Sequence, residues 1–171
     1  MEEKKERIVL TYDVGTQSAR AHLINNKGDI LITKQVTYEP AYESPELGWA
    51  EQDPDMYYDC MCRCSKAIKE EQPDLFEKVE AVTIATIRDT SVCVDKEGKP
   101  LRPAIVWLDK RQAKGHPVIK GVMKPALKLM KLEDFFDLQY KKSQCNWIRE
   151  EQPEIWEKTY KFLMLSGYLT F

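Results

Sequence analysis

The segment Ile8-Val-Leu-Thr-Tyr-Asp-Val-Gly-Thr-Gln-Ser-Ala-Arg20, continued by Ala21-His-Leu-Ile24, constrains this chain more than any other. An apolar run reaches Asp13, turns through Gly15-Thr-Gln-Ser18 and leaves as a second apolar run, which is the pattern of two antiparallel strands. Gly15 lets a backbone approach a ligand closely, and Thr16, Gln17 and Ser18 carry donors. A carboxylate ending a strand beside such a turn suits Mg²⁺, which takes one or two carboxylates and fills its remaining positions with water and phosphate oxygens. Arg20 adds a planar fork for phosphate or carboxylate. The same residues also describe an ordinary hairpin with a polar turn and a solvated Asp13, so the rest of the chain has to decide.

At 171 residues the chain has room for one sizeable α/β domain. Its net charge of −2 and its lack of a long basic run argue against nucleic acid or an acidic membrane as partner. No apolar stretch approaches the roughly 20 residues that span a bilayer. The mixed-charge start Met1-Glu-Glu-Lys-Lys-Glu-Arg7 has no signal-type apolar region behind it, so a cytoplasmic location is expected. The five cysteines have no framework spacing and read as free thiols in a reducing compartment. Cys60-x-Cys62-x-Cys64 lies in a segment of helical period. Cys60 and Cys64 then share a core-facing stripe and Cys62 points away, which is the preferred reading over a zinc site.

Residues 8–37 predict a three-stranded meander, with Asn25-Asn-Lys-Gly-Asp29 as its second turn. A long loop follows to Asp53. Asp53-Pro54 starts a helix, Met56, Cys60, Cys64, Ala67 and Ile68 form its apolar stripe, and Pro73 stops it. Val79 to Ile87 reads as a buried strand and Ser91 to Val94 as another, with Ile87-Arg88-Asp89-Thr90 between them. Ala104 to Trp107 is a short apolar run. Three helices are expected later, around Leu127–Leu132, around Cys145–Ile148 and from Pro153, with Ser166 capping a last one. Strands, helix and strands again predict an α/β domain with a mixed sheet. His22 and His116 have no partner constellation and receive no role.

Four segments, in order, give the chain a likeness. They are Asp13-Val-Gly-Thr-Gln-Ser-Ala-Arg20, Gly48-Trp-Ala-Glu-Gln-Asp-Pro-Asp55, Ile87-Arg-Asp-Thr90 with the Asp95–Gly98 turn, and Leu101-Arg-Pro-Ala-Ile-Val-Trp-Leu-Asp-Lys-Arg111. With the closing Pro153-Glu and Tyr160-Lys-Phe-Leu-Met-Leu-Ser-Gly-Tyr-Leu-Thr170, the chain resembles the N-terminal part of the FGGY carbohydrate kinases. The resemblance implies a ribonuclease-H-like, actin-like ATPase domain in which a mixed central sheet, containing the antiparallel meander, is flanked by helices.

It also implies ATP and Mg²⁺ as cofactors and a sugar or polyol as substrate. Asp13 would sit beside the metal and the transferring phosphate as the catalytic and metal-binding carboxylate. Thr16, Gln17, Ser18 and Arg20 would line the phosphate side. Arg88 and Asp89 would bind substrate hydroxyls, Trp107 would pack on the carbon skeleton, and Asp109 belongs to the same substrate-binding W-x-D-x-R pattern. Without the resemblance, Arg88-Asp89 reads as an exposed ion pair and Trp107 as a core aromatic. Ile87-Arg-Asp-Thr lies nearer the Arg-Glu of glycerol kinases than the Met-His of xylulokinases.

The family is longer than this chain, and its second domain carries the adenosine site and the general base. A missing C-terminal kinase domain and an inactive isolated fragment are therefore expected. Such a lobe would expose the surface that meets its partner, which predicts self-association into a homo-oligomer. The alternative function is a non-catalytic sugar-binding or assembly module on the same scaffold.

Overall fold

The computed structural model describes residues 7–117 and 123–171. Residues 8–37 form the expected meander: β1 (Ile8–Val14), β2 (Ser18–Asn25) and β3 (Ile30–Thr37). In β1 the alternation is strict, with Ile8, Leu10, Tyr12 and Val14 buried and the residues between them half-buried. Ala19, Ala21 and Leu23 of β2 add small and medium side chains to the same face. The second turn is held by the Asn25 side chain, whose Oδ1 accepts from the backbone N–H groups of Lys27 and Asp29, both at 2.9 Å.

After the two-residue β4 (Glu51–Gln52) comes α1 (Pro54–Glu71). Asp53 caps it through Asp55 N–H at 3.0 Å, and Pro54 occupies its first turn. Tyr57, Cys60, Met61, Cys64 and Ile68 bury one face against the meander, chiefly β2 and β3. Cys62 is exposed, so the three cysteines divide as the helical period requires. Among the described residues no group of three or more His, Cys, Asp or Glu side chains is placed to hold a metal ion.

A short α2 (Pro73–Phe76) leads to β5 (Val79–Thr86), which lies parallel to β1 and gives the first sheet the mixed order β3-β2-β1-β5. The sequence predicts β5 as buried. Instead it is an edge strand with most of its residues open, Val82 being 59% exposed. Its β-branched composition reflects strand propensity, while α1 lies over β2 and β3 and leaves it uncovered.

A second sheet was not foreseen. It has the order β4-β7-β6-β8, built from β6 (Ser91–Val94), β7 (Ala104–Ile105) and β8 (Lys161–Met164), with antiparallel pairing throughout. Its core joins Cys93, Ile105 and Ala113 to Trp147 and Ile148. The helical part comprises α3 (Met123–Leu129), α4 (Glu133–Lys142), α5 (Gln144–Glu151), α6 (Pro153–Lys158) and α7 (Leu165–Thr170). Three expectations are corrected here. The helix placed over Leu127–Leu132 ends at Leu129, α4 was not anticipated, and α7 begins at Leu165 behind Met164 without a capping side chain. Leu165 inserts into the first core, so burial rather than capping by Ser166 fixes that start. No helix among the described residues is long and apolar enough to cross a membrane.

Candidate substrate and phosphate cleft

The turn between β1 and β2 is closed by Gly15 N–H donating to the Ser18 carbonyl at 2.9 Å. Asp13 and Arg20 face one another across the hairpin, and Arg20 Nη1 donates to Asp13 Oδ2 at 3.0 Å. Arg20 Nε donates to Gln35 Oε1 at 2.9 Å, so the guanidinium is steadied from two sides. The Asp13 side chain is 51% exposed. It is a single open carboxylate, which fits a Mg²⁺ held chiefly by phosphates and water and does not resemble an all-protein cage. Gln17 is exposed and Thr16 half-buried. Ser18 is buried, and it serves the turn through its carbonyl.

The turn is anchored from the second sheet. Gln52 Nε2 donates to the Thr16 carbonyl at 2.8 Å and also to the Ala41 carbonyl, while Tyr57 O–H donates to Gln52 Oε1. From the other side, Trp107 Nε1–H donates to Thr16 Oγ1 at 2.9 Å, joining residues 91 positions apart. Trp107 is 54% exposed and therefore is not a core aromatic.

Beyond Trp107 opens a cleft of about 660 Å³ whose walls include Asp89, Trp107, Lys110, Gln144, Phe162 and Met164. Asp89 adopts a left-handed φ of 54°, and its carbonyl accepts from Gln144 Nε2 at 2.9 Å. Arg88 is exposed beside it, and no ion pair joins the two side chains among the described residues. The hairpin turn and the Arg88-Asp89 segment thus meet through Trp107 along one side of the molecule.

Asp109 lines the same cleft and is also tied into the fold. Its side chain is 1% exposed. Its oxygens accept from Ala50 N–H at 2.7 Å, from Arg111 N–H and Nε at 2.8 Å, and from Arg111 Nη2 at 2.7 Å. Arg111 lies between two indoles, its guanidinium carbon 3.9 Å from the Trp49 ring centre and 4.5 Å from that of Trp147. Arg111 Nη2 also reaches Glu51 at 2.9 Å, and Glu51 in turn binds Arg102. Burial pulls Arg102 below the usual guanidinium range in spite of Glu51. Asp109 therefore fixes the loop that presents Trp107.

Glu51, Gln52 and Trp49 lie in the Gly48–Asp55 segment, whose individual roles the sequence does not disclose. The signal was there in part: charged and amide residues beside an indole, just ahead of a helix cap.

The profile of the N-terminal domain of the FGGY family of carbohydrate kinases matches residues 8–171. The chain belongs to this family. Glycerol kinase from Thermococcus onnurineus is 30% identical over 162 residues, covering 95% of this chain and 32% of that protein. Gluconokinase from Bacillus licheniformis is 26% identical over 171 residues, covering 94% of this chain and 31% of that protein. A solved xylulose kinase from Brucella ovis superposes with a TM-score of 0.76 at 20% identity, covering 96% of this chain and 34% of its own. Gluconate kinase from Lactobacillus acidophilus gives 0.73 at 16% identity, covering 98% and 33%. These structures place the fold among the actin-like α/β domains of FGGY kinases. This FGGY chain spans about a third of the length of the curated relatives it matches.

Proposed function

We propose that this chain supplies the substrate-binding half of an ATP-dependent kinase that phosphorylates a hydroxyl of a sugar or polyol. The observation that carries this is the Trp107–Thr16 hydrogen bond, which sets the Asp13 turn against the wall of the 660 Å³ cleft. Phosphoryl transfer asks chiefly for positioning and charge compensation, and the residues here divide that work. Mg²⁺ bound with the nucleotide would supply charge neutralisation on the transferring phosphate, and Asp13 would be the carboxylate that meets it. Arg20 holds Asp13 in one orientation through the 3.0 Å contact. Thr16 and Gln17 offer donors at the turn. Asp89 and Arg88 present an acceptor and a fork to hydroxyl groups, and Trp107 offers an apolar face to the carbon chain. A desolvated polyol needs a partner for each hydroxyl, which such a mixed wall provides.

The test is Asp13→Ala in the full-length protein, assayed for MgATP-dependent phosphorylation of a polyol and sugar panel. Turnover is expected to fall at least about a hundredfold, with substrate affinity retained. Wild-type turnover in this variant would remove Asp13 from the reaction.

A further inference from the structure

Arg88-Asp89 lies in the link between the two sheets, after β5 of the first and before β6 of the second. The flanks of this link are tied by backbone hydrogen bonds. Ile87 N–H donates to the Val14 carbonyl and Leu165 N–H to the Thr90 carbonyl, each at 2.9 Å. The apex is held differently. Asp89 stands at a left-handed φ of 54°, and its carbonyl is bound by a side chain, Gln144 Nε2 at 2.9 Å, 55 positions later. Asp tolerates that region better than most residues do, yet an unrestrained Asp still favours negative φ. A return to negative φ would redirect the Cα–Cβ bond and carry the carboxylate to another part of the cleft wall.

Gln144 is suited to oppose that return. It is the first residue of α5, and the buried Trp147 and Ile148 root this helix in the second core. Its carboxamide is therefore presented from a rigid element. Gln144 and Asp89 both line the cleft beside Trp107. We infer that Gln144 is a positioning residue, which holds the Asp89 backbone left-handed and so sets where the Asp89 carboxylate meets a substrate hydroxyl. This rests on the reading of the cleft as the substrate site and deepens it. Hydroxyl recognition then depends on an amide that acts through Asp89 and need not touch the substrate.

The experiment compares Gln144→Met and Gln144→Glu, which keep the length of the side chain and lose the donor, with Asp89→Ala and with the double variant Gln144→Met/Asp89→Ala. The full-length protein is assayed with MgATP and whichever of glycerol, xylitol and glucitol the wild type phosphorylates fastest. Each Gln144 variant should raise the polyol KM about tenfold, the loss of one hydrogen bond. The KM for MgATP and kcat should both stay within about threefold of wild type. The double variant should match Asp89→Ala within about twofold, since residues that act through one contact do not add. Limited trypsin digestion reads the hold on Asp89 without any substrate. Arg88 is exposed, and cleavage after it should run at least about fivefold faster in Gln144→Met than in wild type. An unchanged polyol KM, a rise in both KM values together, or a double variant clearly worse than Asp89→Ala overturns the inference and leaves the cleft reading standing. Equal cleavage after Arg88 does the same. A wild-type protein that phosphorylates none of the three polyols overturns the cleft reading, and this inference with it.

Discussion

Removing the Asp109 carboxylate separates an anchoring role from a ligand-binding one. In Asp109→Ala, Ala50 N–H and three donors of Arg111 lose their acceptor, at sites where the Asp109 and Arg111 side chains are 1% and 2% exposed. Arg111 keeps only Glu51, which Arg102 already shares, so two guanidiniums are left on one buried carboxylate. Breaking a buried charge pair by deleting one partner costs about 3–5 kcal/mol. The four hydrogen bonds taken one by one would sum to more, but they act as a unit and do not add.

Against a total stability of about 5–15 kcal/mol, this is a large fraction. For a chain of this size it corresponds to a fall in melting temperature of roughly 6–20 °C. Asp109→Asn, which keeps an acceptor oxygen and loses the charge, should fall between wild type and Ala. Urea unfolding followed by the fluorescence of Trp49 and Trp147, whose rings flank Arg111, reads the change directly. An Asp109→Ala protein within about 1 kcal/mol of wild type that has lost ligand affinity would refute the anchor and return Asp109 to the substrate.

Two further outcomes test the packing. Burial pushes the thiols of Cys60, Cys64, Cys93 and Cys145 up, whereas Cys62 stands exposed on α1. Iodoacetamide followed by peptide mass spectrometry should therefore find Cys62 alkylated first in the native protein, and rapid labelling of Cys64 would contradict the core. Burial also raises the Tyr38 and Tyr57 phenols well above their ordinary value. Tyrosine in the unfolded chain ionises near pH 10, so the stability these two groups contribute is whole below about pH 10 and lost as pH rises beyond it. Phenolate absorbance and far-ultraviolet circular dichroism should then change together for these residues, and full titration near pH 10 with the fold intact would contradict their burial.

The first sheet was legible because its signals are local. Period-two alternation, the Asn25–Asp29 turn, and the Asp53-Pro54 and Pro73 brackets of α1 each act within a few residues. The second sheet was not, since β4 and β7 are two residues long and exist only by pairing segments more than 50 positions apart. A strand so short has no period to detect. The anchoring of Asp109 is hidden for a related reason: one of its partners is the backbone of Ala50, 59 positions earlier, and no spacing rule connects them. The exposure of β5 was hidden because β-branched residues serve covered and uncovered strands alike. The sequence singles out Asp13, Thr16 and Trp107, and the fold adds the hydrogen bond between Trp107 and Thr16.

That contact continues inward. Thr16 rests on Gln52, and Gln52 on the hydroxyl of Tyr57, a residue with no exposed surface in the middle of the hydrophobic interior. The lip of the cleft is thus propped by a strut rooted in the hydrophobic interior. Random mutagenesis selected for altered turnover should accordingly return substitutions around Tyr57 that never come near a ligand.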